Sequence, residues 1–348
     1  MAPDLIVIRA DGGALLGGGH IARCRALAGE LARRGWRCAF AVSEETAATM
    51  HGLAASGVEV LALAPGLTPA DEAAELRARW PDGAALLIVD HYKRDASFEG
   101  PCRPWADGIL VIDDLADRPH DCDLLVDATL GRKPERYGQS VPAGCRLLLG
   151  PAYALMRPEF AAARAASLER RHVPVLRRVL VSFGSTDPVD ATGVCLDALA
   201  LSGFDLDIDV ALGAAAPYLE RVRRRVATMR RTRLHVETEA MAELMAAADC
   251  ALGAAGGTSW ERCCLGLPTF VAILVENQMG NAAALATAGG ARVAGRWEPR
   301  IGKAMVRELG LLTPERLGQM SAAAAALCDG SGIFRVAEAI EQLRPRRT

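Results

Sequence analysis

His20 is the side chain that its neighbours best equip to move a proton. It follows three glycines, Gly17, Gly18 and Gly19, behind a short apolar run from Leu5 to Ile8. From Ile21 to Leu31 apolar residues then recur at helical spacing. That order describes a strand, a loop whose backbone can approach a ligand closely, and a helix N-terminus. An isolated histidine is more often structural than catalytic. At this place, however, the positive end of the helix disfavours the imidazolium and leaves the ring a neutral base for a proton from water or a hydroxyl.

A second stretch of the same kind runs Gly253-Ala254-Ala255-Gly256-Gly257-Thr258-Ser259-Trp260-Glu261-Arg262. It follows a strand and opens a helix, so free N–H groups at Gly256, Gly257, Thr258 and Ser259 could face a phosphate. Glu261 has two readings. The spacing Thr258-x-x-Glu261 fits a capping box that needs no ligand. Equally, its carboxylate could accept hydrogen bonds from ribose hydroxyls, as acidic residues do in nucleotide sites. Farther on, Glu276-Asn277-Gln278 ends a strand, and the amides of Asn277 and Gln278 suit a sugar because they donate and accept without fixed charge.

Other polar strand ends are Val89-Asp90-His91-Tyr92, Val111-Ile112-Asp113-Asp114 and Phe183-Gly184-Ser185-Thr186-Asp187-Pro188. In a doubly wound sheet such ends rim the binding crevice. Asp113 and Asp114 also fit turn or cap positions, and adjacent acids lack the spacing that places two metal ligands on one helix face. Gly184 and Ser185 could touch a diphosphate or simply turn the chain. The seven arginines between Arg221 and Arg233 lack interleaved aromatics and read as a solvated helix face rather than a nucleic-acid patch.

Elements that could hold these residues are plain in the pattern. Apolar runs alternate with amphipathic stretches: strands are expected at Leu5–Ile8, Cys38–Val42, Val58–Leu63, Leu86–Val89, Ile109–Ile112 and Leu124–Val126. Helices fall between them, clearest at His20–Arg34, Glu45–Ala55 and Ala70–Trp80. Pro151 and Pro158 bracket a short connection, followed by the charged, alanine-rich stretch Glu159–Arg171 and then Pro174, and the domain boundary is expected here. A second series follows, with strands at Val179–Ser182, Asp207–Val210, Leu234–Val236, Cys250–Leu252, Thr269–Ile273 and Ala291–Val293. Such alternation argues for α/β structure with two doubly wound, Rossmann-like domains facing across a cleft. Their expected extents are 1–165 and 175–333, with a helix in 334–348 packing back on the first domain.

At 348 residues two domains are also the natural division. With 51% hydrophobic and 24% charged residues the chain is expected to fold, and a net charge of −2 gives no bulk reason for a nucleic-acid or acidic-membrane partner. The ten cysteines show no paired metal spacing and read as buried thiols in a reducing, cytoplasmic setting. No secretory signal and no apolar run of spanning length are evident, so no stable membrane insertion is expected.

Taken together these motifs resemble a known family, the UDP-sugar hydrolases of pseudaminic acid biosynthesis of the PseG/SpsG type. Arg9-Ala10-Asp11-Gly12 and Gly17-Gly18-Gly19-His20-Ile21-Ala22-Arg23-Cys24 match its N-terminal signature, with Leu16 in place of an isoleucine. Val89-Asp90-His91-Tyr92 and Val111-Ile112-Asp113-Asp114-Leu115-Ala116 match its next two. Gly253 to Cys263 with Glu276-Asn277-Gln278 match its C-terminal one.

The resemblance implies the facing-domain build of GT-B glycosyltransferases. It implies UDP held mostly by the second domain, with Glu261 on the ribose, Gly256–Ser259 near the diphosphate and Asn277 on the sugar. His20 becomes the base that activates water, and the glycines of the first loop serve the sugar rather than a phosphate. Arg9, Asp11, Tyr92, Gly184, Ser185 and Gln278 fall at binding positions. The implied reaction is hydrolysis of UDP-2,4-diacetamido-2,4,6-trideoxy-β-L-altropyranose to UDP and free sugar, with no metal or other cofactor. Asp127-Ala128-Thr129 departs from the Asp-Gln-Asn of many relatives, which bears on the sugar. An inverting glycosyltransferase or a non-catalytic UDP-sugar-binding protein are the alternatives, and the oligomeric state is open.

Overall fold

The computed structural model describes residues 4–13, 18–49, 53 and 57–343. The chain divides into two units. One runs to Arg157 and takes up the chain again from Ser331; the other is Pro158–Gly330.

Among the described residues the first unit holds seven strands: β1 (Leu5–Ala10), β2 (Arg37–Ser43), β3 (Glu59–Leu63), β4 (Leu86–Asp90), β5 (Ile109–Ile112), β6 (Leu124–Asp127) and β7 (Arg146–Leu149). All pair in parallel, in the order β3-β2-β1-β4-β5-β6-β7. Strands β1, β4, β5 and β6 are buried at every residue, which is why they read as unbroken apolar runs.

Successive side chains point to opposite faces. Ile6 and Ile8 pack with Ile21, Cys24, Leu27 and Leu31 of the helix Gly19–Arg33, and with Ile333, Val336 and Ile340 of the helix Gly332–Glu341. Leu5 and Val7 pack on the other face with Leu76, Trp80 and Phe98. The chain's closing helix therefore lies on the first unit, beside Gly19–Arg33, where Arg34 pairs with Glu341 at 2.7 Å.

The second unit repeats the plan with β8 (Arg178–Ser182), β9 (Asp207–Leu212), β10 (Thr232–Val236), β11 (Cys250–Ala254), β12 (Thr269–Ile273) and β13 (Arg292–Arg296). Its parallel order is β10-β9-β8-β11-β12-β13. Both units are thus parallel-sheet α/β domains, as the alternation of runs implies. The charged, alanine-rich stretch Glu159–Arg171 is mostly the helix Pro158–Arg170. Arg171 just beyond it donates to the carbonyls of Met245, Ala248 and Leu265 at 2.7–2.9 Å, closing the ends of two other helices.

Some described elements carry little sequence signal. β7 is a four-residue edge strand with only Leu148 fully buried, so it lacks a core strand's signal. The helix Ala96–Cys102 contains Gly100 and Pro101, both poor helix formers, and is started instead by Asp95 accepting from Ser97 N at 2.9 Å. The helix Ile301–Leu309 carries Gly302 for a close crossing: a β-carbon there would stand 2.4 Å from the Val194 carbonyl. Among the described residues no helix is long and apolar enough to cross a membrane.

Candidate functional site

Each sheet reverses its strand order once, between β1 and β4 and between β8 and β11. The carboxyl ends of strands flanking such a reversal open a crevice, the usual ligand place in this class of sheet. The candidate residues of each unit gather at its own reversal.

In the first unit His20 lies in the opening turn of the helix Gly19–Arg33, after the cap residue Gly18. Its ring is largely buried, and Nδ1 lies 2.5 Å from Oδ1 of Asp90, the last residue of β4. Asp90 is gripped by Arg23, with Nε 2.7 Å from Oδ2 and Nη2 2.6 Å from Oδ1, and Cys24 Sγ donates to Oδ2 at 3.3 Å. Burial alone would push the Asp90 carboxyl up. The charge of Arg23, with the hydrogen bonds from Arg23 and His20, outweighs it and holds the group far below the usual carboxylate range.

An ionised carboxylate only accepts, so Nδ1 must carry the hydrogen in this contact. Arg23 Nη2, 3.2 Å from the same nitrogen, is itself a donor and so merely a neighbour there. The other ring nitrogen, Nε2, has no hydrogen-bond partner among the described residues. Tyr92 meets the ring edge-on, centroids 4.6 Å apart at 86°. Burial first, then the nearby Asp114 charge, push the Tyr92 phenol up to about 12.

Arg9 and Asp11 are also buried, but their polar atoms are taken up within the protein. Arg9 pairs with Asp11 at 2.8 Å and with Glu72, which Arg94 holds from the other side. Asp11 further accepts from Ser43 N at 2.6 Å and from His91 Nε2 at 3.1 Å. His91 Nδ1 accepts from Lys93 N, which assigns the hydrogen to Nε2. Burial lowers His91 below the usual histidine value, against the pull of Asp11. This network fixes the first stretch of the loop after β1. Gly18 is half-buried and Gly19 exposed, with open space where its β-carbon would be, whereas Gly17 lies outside the described residues.

In the second unit Gly184 and Ser185 are exposed at the end of β8, and Gly184 has φ +108°, which only glycine adopts without strain. Asp187 beyond them accepts from the N–H groups of Ala191 and Thr192, so this segment also turns the chain into its helix. Across the reversal, β11 runs into Gly256 and the helix Thr258–Cys264, whose cap residue is Gly257. Thr258 is thus the first helical residue, one place past the cap that a capping box with Glu261 requires. Ser259 is buried: its hydroxyl accepts from Arg262 Nη2 at 3.1 Å and its N–H donates to the Gly256 carbonyl at 2.9 Å, so it is not one of the free N–H groups expected from the sequence. Arg262 is itself buried and donates to the Ala254 carbonyl; burial pushes its guanidinium down to about 10. The Gln278 amide reaches the open side of Gly256, 3.7 Å from where a β-carbon would sit, while its Oε1 accepts from Leu274 N at 3.0 Å. Asn277 is exposed beside it.

Arg23, Asp90 and Asp114 form the part of the first-unit cluster that the motifs alone do not bring together. Two signals point to it. His20 and Arg23 are three apart on one helix, hence neighbours. Asp90 shares the face of Ile88, which packs against that helix. Asp113, by contrast, is a turn residue, accepting from Leu115 and Ala116 N–H. Of the arginine-rich stretch, Arg221, Arg225, Arg231 and Arg233 are each paired with aspartates.

No protein-family model matches the chain. Over 208 residues it is 30% identical to the spore coat polysaccharide biosynthesis protein SpsG of Bacillus subtilis, covering 58% of this chain and 60% of that one. Over 160 residues it is 25% identical to the UDP-2,4-diacetamido-2,4,6-trideoxy-β-L-altropyranose hydrolase of Campylobacter jejuni, covering 46% of this chain and 56% of that one. The match thus spans less than two thirds of either relative's length. Both relatives support the family resemblance carried by the motifs.

Solved structures of the same fold include MurG of Acinetobacter baumannii, with a TM-score of 0.67 at 14% identity over 98% of this chain and 100% of that chain. The calicheamicin glycosyltransferase CalG4 gives 0.58 at 15% over 98% of each chain. The UDP-GlcNAc 2-epimerase of Neisseria meningitidis, bound to UDP-GlcNAc, gives 0.63 at 12% over 97% of this chain and 100% of that one.

Proposed function

We propose that this chain, a relative of SpsG and of the Campylobacter altropyranose hydrolase, is a UDP-sugar hydrolase. The observation that carries the reading is His20: a histidine at the crevice of the first sheet, with Nδ1 on a buried ionised aspartate and Nε2 unpartnered among the described residues. A histidine so held is a general base. In the reaction, Nε2 takes a proton from water as the water oxygen bonds to the anomeric carbon. The bond from that carbon to the β-phosphate oxygen breaks, and UDP leaves with its electron pair.

The second unit supplies the grip on UDP in this reading, with the N–H groups of Gly256, Gly257 and Thr258 at the diphosphate, Glu261 on the ribose, and Asn277 and Gln278 toward the sugar. Gly184 and Ser185 serve the diphosphate from the neighbouring strand end. Backbone N–H groups stabilise the leaving charge, and no cation is required. Tyr92 and the glycines of the first loop shape the sugar's place, and Arg9 and Asp11 act by holding that loop. The sugar of the Campylobacter hydrolase is the first substrate to try, in a nonulosonic acid pathway of the cytoplasm.

A glycosyltransferase reading uses the same base on an acceptor hydroxyl, and the shared fold with CalG4 is the observation that favours it. The test separates the two. Pure protein is incubated with UDP-sugars and EDTA, with no acceptor present. UDP release supports hydrolysis; release only on adding a sugar or lipid acceptor supports transfer.

A further inference from the structure

Asp90 ends β4 with 1% exposure. A buried carboxylate is costly unless a cation and hydrogen bonds compensate it. Arg23 supplies both through two nitrogens, one on each carboxylate oxygen. Its third nitrogen, Nη1, reaches Asp114 just past the end of β5, at 3.0 and 3.1 Å from the two oxygens. One guanidinium therefore ties the helix Gly19–Arg33 to the ends of two neighbouring strands. The fork has the flat, five-donor geometry of arginine, which a lysine ammonium cannot reproduce.

We propose that Arg23 is a positioning residue for His20: it holds the Asp90 carboxylate against Nδ1, so the hydrogen stays there and the lone pair stays on Nε2. The inference rests on the reading of His20 as the base. The charged and titratable groups around the ring are Asp90, Arg23 and Tyr92, with Asp114 beyond Arg23. Of these, Asp90 is the acceptor that can order Nδ1–H. Without Arg23 the buried carboxylate has no cation, only the Cys24 thiol and the ring as donors, and it takes up a proton or turns away from the ring. The alternative tautomer, with hydrogen on Nε2, then gains population and cannot accept a proton from water at that atom.

The test compares the full chain with Arg23→Met and Arg23→Lys. Three readouts are taken: imidazole 15N shifts at neutral pH, UDP affinity, and kcat and KM for UDP release. Arg23→Met should lose the dominance of the Nδ1–H tautomer and drop kcat by roughly 10–100-fold, the range measured for outer partners of metal-ligating histidines. UDP affinity and KM should hold, and Arg23→Lys should recover part of both losses. An Arg23→Met protein that keeps the tautomer and kcat overturns the proposal. Should Arg23→Met fail to fold, Arg23→Lys carries the test: a mixed tautomer with lowered kcat supports the role, and unchanged values of both overturn it. If the unmodified chain releases no UDP, the hydrolase reading falls, while the tautomer comparison still decides the role of Arg23.

Discussion

His20 Nδ1 stands 2.5 Å from Asp90 Oδ1, joining the helix after β1 to the end of β4 where the first sheet reverses its order. The contact divides the ring's labour. One nitrogen is committed to a buried carboxylate, and the other is left to the crevice.

Replacing Asp90 with Asn keeps the shape and removes the charge. Turnover should fall by roughly 10²–10⁴-fold, the usual worth of a well-oriented general base, with UDP affinity retained. Steady-state kinetics and UDP titration check both. A variant with unaltered kcat contradicts the role of the contact.

The same carboxyl makes a prediction about pH. It is held below its unfolded value, so its stabilisation is complete above about pH 4 and drains as pH falls from there toward the folded value. In thermal melts the stability gap between the native chain and Asp90→Asn should be constant from neutral pH to about 4, then narrow on further acidification. A gap that widens with acid contradicts the assignment.

In the proposed function Glu261 contacts the ribose. Glu261→Gln should weaken UDP binding by roughly 10–150-fold, the value of a hydrogen bond to a charged group. Calorimetry with UDP and 2′-deoxy-UDP forms a cycle: the native chain should discriminate between them and the variant should not. Additive losses would remove Glu261 from the ribose.

Gly253 sets how closely β11 can lie beside β8. A β-carbon there would be 2.6 Å from the Ser182 carbonyl and 2.6 Å from Arg262 Nη1. The carbonyl is backbone and cannot swing aside. Gly253→Ala should therefore cost about 1–3 kcal/mol in urea unfolding, as overpacked cores do. It should also weaken UDP binding, because Arg262 holds the loop that follows. Native stability in this variant would contradict the close approach.

The fold is legible wherever burial is complete. β1, β4, β5 and β11 are apolar at nearly every residue because both faces of a parallel sheet are covered. β7 escapes notice because an edge strand of four residues carries little of that signal. At the site, the motif around Asp90 marks a strand end, but it does not say which way each side chain points. The pleat decides that: Asp90 follows Ile88 onto the helix face and meets His20, while His91 turns to Asp11. Glu72, which closes the network on Arg9 from 63 residues away, has no local signal at all.

The central claim is that His20 takes a proton from water on a UDP-sugar. The direct measurement is UDP release from UDP-2,4-diacetamido-2,4,6-trideoxy-β-L-altropyranose by the native chain and by His20→Asn, with EDTA present and no acceptor. Release by the native chain, none by the variant, and equal UDP affinity in both are expected. Retained turnover in His20→Asn would contradict the claim.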